Sequence, residues 1–382
     1  MKFIAARLLG ASTLVELCGQ YGVSRKTAYK WIGRYEADGA AGLAERSHAP
    51  LVHGRATTQE IAAAIVGMRL QRPSWGPRKL LFKLAELDPR VTWPAASTVG
   101  EILRREGLNG CRRRRHRAPP MLGALTEPDR PNRVWAVDHK GWITLGDGTR
   151  CEPLTITDSC TRFLIGLEAC TSTRGEEARP VFERAFTVHG LPDVIRSDNG
   201  SPFASDGLTG LTALGVWWIK LGIRHERIAP GRPQQNGRHE RFHLTLKEAM
   251  QPRPANLAEQ AARFETFAHD YNVERPHEAL GQIPPARRYT PSSRPLPIRL
   301  PEPDYPAAAD IRRVRSNGCI KWAGSLLFVS SALIGELVAI EENLRGDYIM
   351  RFYDAPIGLI DPRRKRVLPI LAGQNLSPIH PV

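Results

Sequence analysis

The chain has 382 residues, of which 42% are hydrophobic and 24% charged, and its formal net charge is +15. This length predicts roughly two to four domains, and no run of about 18 apolar residues is present that would predict a membrane span. The N-terminal sequence lacks the pattern of a secretory signal, so a cytoplasmic protein is expected. The positive charge predicts a polyanionic partner.

The positive charge is concentrated near the N-terminus. Residues 1–120 contain 21 Lys and Arg residues against 9 Asp and Glu residues, and arginine supplies 44 of the 54 basic residues of the chain. Arginine suits bidentate contacts with phosphate and guanine, although GC-rich coding produces the same bias without any functional cause. The first third of the chain is therefore the part expected to bind nucleic acid.

The cysteines indicate neither a zinc site nor a disulfide framework. They are Cys18, Cys111, Cys151, Cys160, Cys170 and Cys319. No two of them form a C-x-x-C pair, and they form no cluster with histidine at the spacing of a structural zinc site. Reduced thiols are therefore predicted.

Residues 12–37, STLVELCGQYGVSRKTAYKWIGRYEA, predict two short amphipathic helices around a glycine turn. Ser24 is placed to cap the N-terminus of the second helix. The arrangement is typical of a helix-turn-helix, whose second helix enters the major groove with its first residues facing the bases. The residues predicted to contact DNA are Arg25, Lys26, Thr27, Tyr29 and Lys30. The alternative is a helical hairpin with a solvated basic face.

A second helix-turn-helix domain is predicted at 55–111, after the first domain at 1–50. Residues 57–70 and 76–87 have helical spacing, and Ser97 is placed to cap a third helix. Two tandem units read a longer DNA sequence than one. The basic stretch RRRRHRAPP opens a linker at 112–128 and is either a solvated charge run or a phosphate contact. The linker residues predicted to contact phosphates are Arg112, Arg113, Arg114 and Arg115.

The centre of the chain predicts a sheet that carries two carboxylates. Asp138 lies within the predicted strand VWAVDHKGWI, where a carboxylate among large apolar residues is costly unless it is paired or binds a cation. Two further strands, a helix at about 174–189 and a fourth strand that delivers Asp198 follow. This β-β-β-α-β order places the first and fourth strands side by side in an RNase H-like sheet, so Asp138 and Asp198 are predicted to face each other.

A third carboxylate is expected to complete the site. The stretch IRSDNG around Asp198 is by itself typical of a tight turn, but two hard cations that share phosphate oxygens require several carboxylate ligands. In PGRPQQNGRHERFHLTLKEAM, Gly and Pro predict a loop that becomes helical near Gly237. Glu240 is therefore predicted in the first turn of a helix.

The segments VWAVDHKGW, IRSDNGSPF and PGRPQQNGRHERFHLTLKE together resemble the catalytic core of DDE transposases from bacterial insertion sequences, of the IS481 and IS3 type, which are related to retroviral integrases. The helix-turn-helix units and YNVERPHEAL add to a resemblance that covers residues 10–290. It implies an RNase H-like core, at 129–290, in which Asp138, Asp198 and Glu240 are the catalytic residues and bind Mg²⁺ or Mn²⁺, two ions in each active site.

The sequence departs from this family pattern in two ways. Asp198 and Glu240 are separated by 41 residues, more than the family motif has, and an inserted helix near GVWWIKLG explains the extra length. The His/Cys zinc module that precedes retroviral integrase cores is absent, which favours the insertion-sequence branch. Glu248, eight residues after Glu240, would replace it as a ligand if the helix were shifted.

Further residues near the motifs are either DNA contacts or solvent-facing side chains. Lys247 matches a basic position that in this family contacts the DNA end. His243, three residues after Glu240, is expected to touch a phosphate or orient a ligand, and Gln235 can offer its amide to DNA. The other acidic residues, Asp158, Asp193, Asp206 and Glu226, are expected in turns or on the surface.

The C-terminal part predicts a helix at 253–280, a Pro/Arg-rich linker and then short strands. Five or so strands with tight turns at 305–372 predict a small SH3-like β-barrel. Such a module either contacts DNA or a neighbouring subunit, or only stabilises the fold.

The sequence thus predicts a multidomain chain with N-terminal all-α helix-turn-helix units, a central α/β RNase H-like catalytic core with a mixed sheet, and a C-terminal small β-barrel. The expected function is that of a transposase, which binds terminal inverted repeats of double-stranded DNA as a homo-oligomer. It would cleave and join DNA in the bacterial cytoplasm, at the nucleoid and away from membranes. The alternatives are a DNA-binding regulator with an inactive core and an RNase H-like nuclease.

Overall fold

The computed structural model describes residues 2–45, 57–108, 125–205, 207–228, 237–343 and 345–370, without the side chains of residues 248 and 249. The chain divides into two compact units, Met1–Ile61 and Ala62–Val382. Within the described ranges, no helix combines the length and the apolar character that crossing a bilayer requires.

The described part of the first unit is helical. Its elements are α1 (Lys2–Leu8), α2 (Leu14–Tyr21), α3 (Arg25–Asp38) and a 3₁₀ turn at Gly39–Leu43. Thr13 and Glu16 form a capping box at the start of α2, in which each side chain accepts a hydrogen bond from the other residue's backbone N–H. Gly22 ends α2 at φ +63°, and Ser24 caps α3 by accepting a hydrogen bond from the Thr27 N–H. The predicted helix-turn-helix and its Ser24 cap are confirmed.

Three further helices form the block before the linker. They are α4 (Gln59–Gln71), α5 (Pro77–Leu87) and α6 (Ala96–Arg105). Their inner faces bury apolar side chains, among them Ile65, Leu80 and Leu103. The predicted Ser97 cap is wrong: Ala95 has the extended backbone of an N-cap, so Ser97 already lies in the first helical turn.

Ion pairs connect this helical block to the segment 270–287 of the core. They are Arg72–Asp270, Arg78–Glu278 at 2.9 Å, Lys83–Glu274 at 2.6 Å and Glu86–Arg287. The core segment follows the chain as a π turn (Asp270–Glu274) and two 3₁₀ turns (Glu278–Leu280 and Pro285–Arg287). The pairs range from partly exposed to largely exposed, as in Arg78–Glu278, so each contributes roughly 0–1 kcal/mol.

A mixed sheet lies at the centre of the second unit. Its strands are β1 (Val134–His139), β2 (Ile143–Thr144), β3 (Arg150–Asp158), β4 (Leu164–Cys170), β5 (Val194–Ser197) and β6 (Arg224–Arg227). β3, β1, β5 and β6 are neighbours in that order, and β2 and β4 both pair with β3. β1 runs antiparallel to β3 and parallel to β5. The mixed RNase H-like sheet predicted from the sequence is confirmed.

The register of β1 and β5 brings two carboxylates to the same end of the sheet. Ala136 lies opposite Arg196 in this parallel pair. Asp138 and Asp198 each follow two residues later, so both emerge where their strands run out. The first and fourth predicted strands are therefore neighbours, as their order along the chain predicted.

Helices cover both faces of the sheet. They are α7 (Gly175–His189), α8 (Ala213–Lys220), α9 (Gly237–Ala249) and α10 (Leu257–His269). On one face, Phe182, Phe186 and Trp218 from α7 and α8 pack in a core with Trp135 of β1. On the other, α9 and α10 pack their apolar side chains against β2, β3 and β4. β1 therefore lies in a three-layer structure, which explains why its apolar residues are fully buried.

The C-terminal domain is an open sheet rather than the predicted barrel. Its strands are β7 (Asp310–Arg313), β8 (Cys319–Trp322), β9 (Ser325–Phe328), β10 (Leu337–Glu342), β11 (Tyr348–Phe352), β12 (Ala355–Asp361) and β13 (Arg366–Leu368). Five strands form an antiparallel sheet in the order β13-β12-β11-β10-β7, and β8 and β9 form a separate hairpin. The two edge strands are short, and the exposed Arg313 and Arg366 lie on them. Short, charged edges oppose the edge-to-edge pairing that closure requires.

Replacing Phe182 with Ala is expected to reduce the free energy of unfolding of the core by roughly 3–5 kcal/mol. The reason is that its fully buried ring packs against Phe186 and Trp218. Val188→Ala on the same helix is the matched control, because Val188 is exposed. Urea unfolding followed by tryptophan fluorescence measures both variants, and equal effects would contradict the packing described.

Candidate functional site

Asp138 lies near the end of β1 and is partly buried. Its side chain is 23% exposed, and the strand residues before it are buried. Burial raises the pKa of Asp138 from 3.8 to about 7, with further contributions from the negative charges of Asp198 and Glu240. Lys140 opposes this rise. The effect of both acids on one titration places three carboxylates within electrostatic range of each other.

Asp198 is held by the turn that follows β5. Its Oδ1 accepts a hydrogen bond of 3.0 Å from the Gly200 N–H, and the Asn199 side chain donates to the Ile228 carbonyl oxygen at 2.8 Å. A Cβ atom on Gly200 would lie 3.1 Å from Asp198 Oδ2, so glycine gives the carboxylate room. The Asp-Asn-Gly stretch therefore forms the tight turn that its composition predicted and presents Asp198 beside Asp138.

Glu240 lies in the first turn of α9, as the sequence predicted, and its side chain is exposed. An acidic residue in this position is favoured by the positive end of the helix dipole. The charge of Glu240 contributes to the raised pKa of Asp138, so the two carboxylates lie within electrostatic range of each other. The three acids thus come from a strand, a turn and a helix.

Two histidines of α9 lie behind Asp138 and pack against β3. The Thr155 hydroxyl lies 2.6 Å from His239 Nε2 and 2.8 Å from His243 Nε2. Thr157 Oγ1 lies 2.9 Å from His239 Nδ1, and His243 Nδ1 is 3.7 Å from Asp138 Oδ2. Burial lowers the pKa of His239 to about 3 and that of His243 to about 2, so both rings are neutral.

The competing acidic residues are occupied elsewhere. Asp158 is buried and accepts hydrogen bonds from the backbone N–H groups of Asn132 and Thr161. Asp193 pairs with Arg130, Arg133 and Arg294, and Glu226 pairs with Arg196. Asp206 and the Glu248 side chain lie outside the described residues. Of the acids described, Asp158, Asp193 and Glu226 therefore have structural partners away from the site.

The predicted DNA-contacting residues of the first unit lie on α3. Arg25, Lys26, Tyr29 and Lys30 are exposed, and Thr27 is half-buried next to the Ser24 cap. Lys30 also lies 5.7 Å from the centre of the Trp31 ring. The first two turns of α3 therefore present a basic surface to solvent, in the position that a recognition helix requires.

The other predicted DNA-contacting residues differ in their exposure to solvent, and some lie outside the described residues. Lys247 is exposed in the last turn of α9. His243, in contrast, is buried against Thr155 and Asp138, so its expected contact with a phosphate is revised: the ring faces the inside of the site. The residues Arg112, Arg113, Arg114, Arg115 and Gln235 lie outside the described residues.

Sequence reasoning missed His239, Thr155 and Thr157. A signal for them was present. His239 and His243 are four residues apart on one helix, a spacing that places both rings on one face. Thr155 and Thr157 are two apart on a strand, which also places them on one face. Only the packing of α9 against β3 shows that these two faces meet.

Comparison with known families agrees with this architecture. Residues 128–233 and 221–285 match two models described as integrase core domain. Residues 3–50 match a helix-turn-helix domain, and residues 27–103 match a homeodomain-like domain. The core matches contain Asp138, Asp198 and Glu240, and the helix-turn-helix match contains α3.

Similar proteins come from bacterial insertion elements. An uncharacterized protein of insertion element IS407 from Burkholderia multivorans is 28% identical over 59% of this chain and 79% of the relative. An uncharacterized protein of insertion element IS476 from Xanthomonas euvesicatoria is 27% identical over 63% of this chain and 67% of the relative. The solved catalytic core of HTLV-2 integrase in complex with magnesium is 16% identical, covers 42% of this chain and 98% of its own, and has a TM-score of 0.34.

An integrase core that follows helix-turn-helix domains defines a DNA-binding enzyme of the polynucleotidyl-transferase class. Within this class the chain is a transposase of an insertion sequence, similar to those of the IS3 and IS481 type. The recognition made from the three sequence motifs is confirmed.

Asp138→Asn is expected to raise the melting temperature of the metal-free protein relative to wild type, by an amount that grows as the pH rises from about 5 to 7. Between the ordinary pKa of 3.8 and the folded pKa of about 7, the folded chain binds more protons at Asp138 than the unfolded chain does. The free energy of unfolding of the wild type therefore falls as the pH rises through this window. Asparagine has no carboxyl to titrate, so the variant does not show this fall. Thermal unfolding in EDTA at several pH values measures the difference.

Asp147→Asn is the control for this pH dependence. Asp147 is an exposed turn residue, and its hydrogen bond from the Thr149 N–H lowers its pKa. Because its carboxyl is already ionised at pH 5, its effect on the melting temperature should be constant above that pH. If the difference in melting temperature between wild type and Asp138→Asn were also constant above pH 5, this result would contradict the raised pKa of Asp138.

Proposed function

We propose that the chain cleaves DNA at the ends of an insertion sequence and joins them to target DNA through Asp138, Asp198 and Glu240. The observation that carries this proposal is that Asp138 and Asp198 come at the ends of two neighbouring parallel strands, with Glu240 in the first turn of α9. The charges of Asp198 and Glu240 both add to the rise in the pKa of Asp138, which burial mainly causes. Like charges brought together in this way are expected where a cation binds. The family match over the same residues supports the proposal.

The donor set fits a pair of divalent ions. Carboxylate oxygens are the ligands that Mg²⁺ and Mn²⁺ prefer, and Asp138, Asp198 and Glu240 would hold them. When bound, two such ions activate the attacking water or 3′-hydroxyl and stabilise the leaving oxygen. Cleavage and joining then use the same residues with two different nucleophiles, and neither requires a covalent link between protein and DNA.

The chain's own residues position DNA for this chemistry. Asp138 and Asp198 are fixed by neighbouring strands, whereas Glu240 stands in the first turn of α9. Exposed Lys247, seven residues after Glu240, is placed to bind a phosphate of the DNA end. Arg112–Arg115 and Gln235, which lie outside the described residues, are proposed as further DNA contacts from the sequence alone. Holding residues on rigid elements is what keeps the reacting atoms aligned.

Recognition of the terminal inverted repeats would belong to α3 and the second helical block. Two DNA ends must be held together before they are joined to a target, so we propose that the protein acts as a homo-oligomer on double-stranded DNA. Its expected location is the bacterial cytoplasm, at the nucleoid.

Glu240→Gln is expected to abolish strand transfer while retaining binding to the element's end. Glutamine has the size of glutamate but provides no charge for a divalent ion. The assay uses a labelled duplex that carries the element's own terminal sequence, with Mg²⁺ or Mn²⁺, and detects nicked and joined products. Binding of the same duplex is measured separately by mobility shift.

Glu248→Gln on the same helix is the matched control and should keep joining activity. If Glu248→Gln lost joining activity and Glu240→Gln kept it, Glu248 rather than Glu240 would be the third catalytic carboxylate. If wild type binds the end but neither nicks nor joins it with either metal, the protein is a DNA-binding regulator. Nicking without joining would instead identify a nuclease.

The double variant Lys26→Ala/Lys30→Ala is expected to weaken binding of the terminal duplex and to reduce its salt dependence. Each lost phosphate contact should lower the slope of log K against log salt by about 0.9. Arg7→Ala is the control, because Arg7 is also basic and exposed but lies on α1. Titrations at several salt concentrations measure both variants, and an unchanged slope in the double variant would exclude phosphate contacts by this face.

A further inference from the structure

The Thr155 hydroxyl is surrounded by three polar atoms at hydrogen-bonding distance. It donates to the Asp138 backbone oxygen at 2.9 Å, and the Nε2 atoms of His239 and His243 lie 2.6 Å and 2.8 Å away. A hydroxyl has one proton to donate and two lone pairs that accept. The three partners therefore occupy the one proton and both lone pairs of the Thr155 hydroxyl.

This arrangement fixes the protonation of both rings. A carbonyl oxygen has no proton, so the Thr155 proton must serve the Asp138 carbonyl. Both imidazoles must then donate an N–H from Nε2 to Thr155. His239 Nδ1 is consequently an acceptor, and the Thr157 hydroxyl, 2.9 Å away, donates to it. Both nitrogens of His239 are thus engaged.

His243 is left with an unprotonated Nδ1 that faces the site. Asp138 Oδ2 lies 3.7 Å from this nitrogen, which is longer than a hydrogen bond. An imidazole lone pair and a carboxylate oxygen repel each other when nothing lies between them. Two ligand atoms at this separation can both lie about 2.0–2.2 Å from a cation placed between them.

We propose that His243 Nδ1 and the Asp138 carboxylate together bind a divalent cation, which gives this site a nitrogen ligand besides its carboxylates. The inference rests on the proposed function, because it concerns one of the ions that Asp138 would hold. His239 is not a ligand, since both of its nitrogens are engaged by Thr155 and Thr157. The tautomer of His243 is fixed by Thr155, whose only proton goes to the Asp138 carbonyl oxygen.

The nitrogen ligand has a consequence for metal preference. Imidazole suits ions later in the first transition series better than Mg²⁺, whereas an all-oxygen set suits Mg²⁺. The ratio of Mn²⁺ affinity to Mg²⁺ affinity should therefore be higher in this protein than in a variant that lacks His243 Nδ1. This comparison does not depend on catalysis.

Pulsed electron paramagnetic resonance of Mn²⁺ bound to the full chain tests nitrogen ligation directly. The wild-type protein should show coupling of the Mn²⁺ electron spin to ¹⁴N, and the coupling should change to the ¹⁵N pattern when histidine alone is ¹⁵N-labelled. Because the labelled protein has the wild-type sequence, this measurement does not depend on the folding of any variant. Bound Mn²⁺ without histidine coupling would overturn the inference.

Two variants assign the coupling to one ring. His243→Gln keeps an N–H that can reach Thr155 but removes Nδ1, so it should lose the coupling and raise the Mn²⁺ dissociation constant at least roughly tenfold. It should also lower the Mn²⁺ to Mg²⁺ affinity ratio. His239→Gln is the matched control on the same helix and should keep the coupling. Coupling that persists in His243→Gln and is lost in His239→Gln would overturn the assignment.

The strand-transfer assay on the same wild-type preparation separates the two proposals. Joined products with Mn²⁺ bound but no histidine coupling would overturn nitrogen ligation and leave the proposed function intact. Histidine coupling without joined products in either metal would support nitrogen ligation and contradict the proposed function.

Discussion

Burial of the Asp138 carboxylate beside two further carboxylates is the constraint on which this site depends. A pKa raised from 3.8 to about 7 corresponds to a free energy on the order of 4 kcal/mol at neutral pH, which only a proton or a cation offsets. The surrounding structure supplies the rigidity that this arrangement needs. Apolar packing on both faces of the sheet keeps β1 in place, and the turn after β5 holds Asp198 through the Gly200 N–H. Asp138 and Asp198 therefore cannot move apart without disrupting a packed core.

The features that sequence predicted well are those set by local physics. Apolar strands, the Ser24 cap and the helical pattern after Gly237 depend on neighbours along the chain, and strand order then followed from connectivity. Features that depend on distant contacts were missed or wrong. Closure of the C-terminal sheet is decided where two edge strands meet, and no local pattern around Arg313 or Arg366 reveals that outcome. The ring of His243 turned inward because β3 offers Thr155 at that point, a partner 88 residues away.

Recognition and chemistry are carried by different kinds of structure in this protein. The residues of α3 that we propose as DNA contacts stand on an exposed helix surface, where substitutions are expected to leave the fold intact. The carboxylates and the Thr155 network stand on buried strands and on the inner face of α9, where a substitution changes packing and charge together. Under the proposed function, DNA sequence preference can therefore change through surface residues while the carboxylate site stays constant.

The ion pairs between α5 and the segment 270–287 make the geometry of the second unit sensitive to ionic strength. At about 0.15 M salt the screening length is about 8 Å, so exposed pairs such as Arg78–Glu278 weaken steadily as salt is added. Apolar burial in the sheet core does not weaken with them. Salt therefore acts selectively on the joint between the second helical block and the catalytic core.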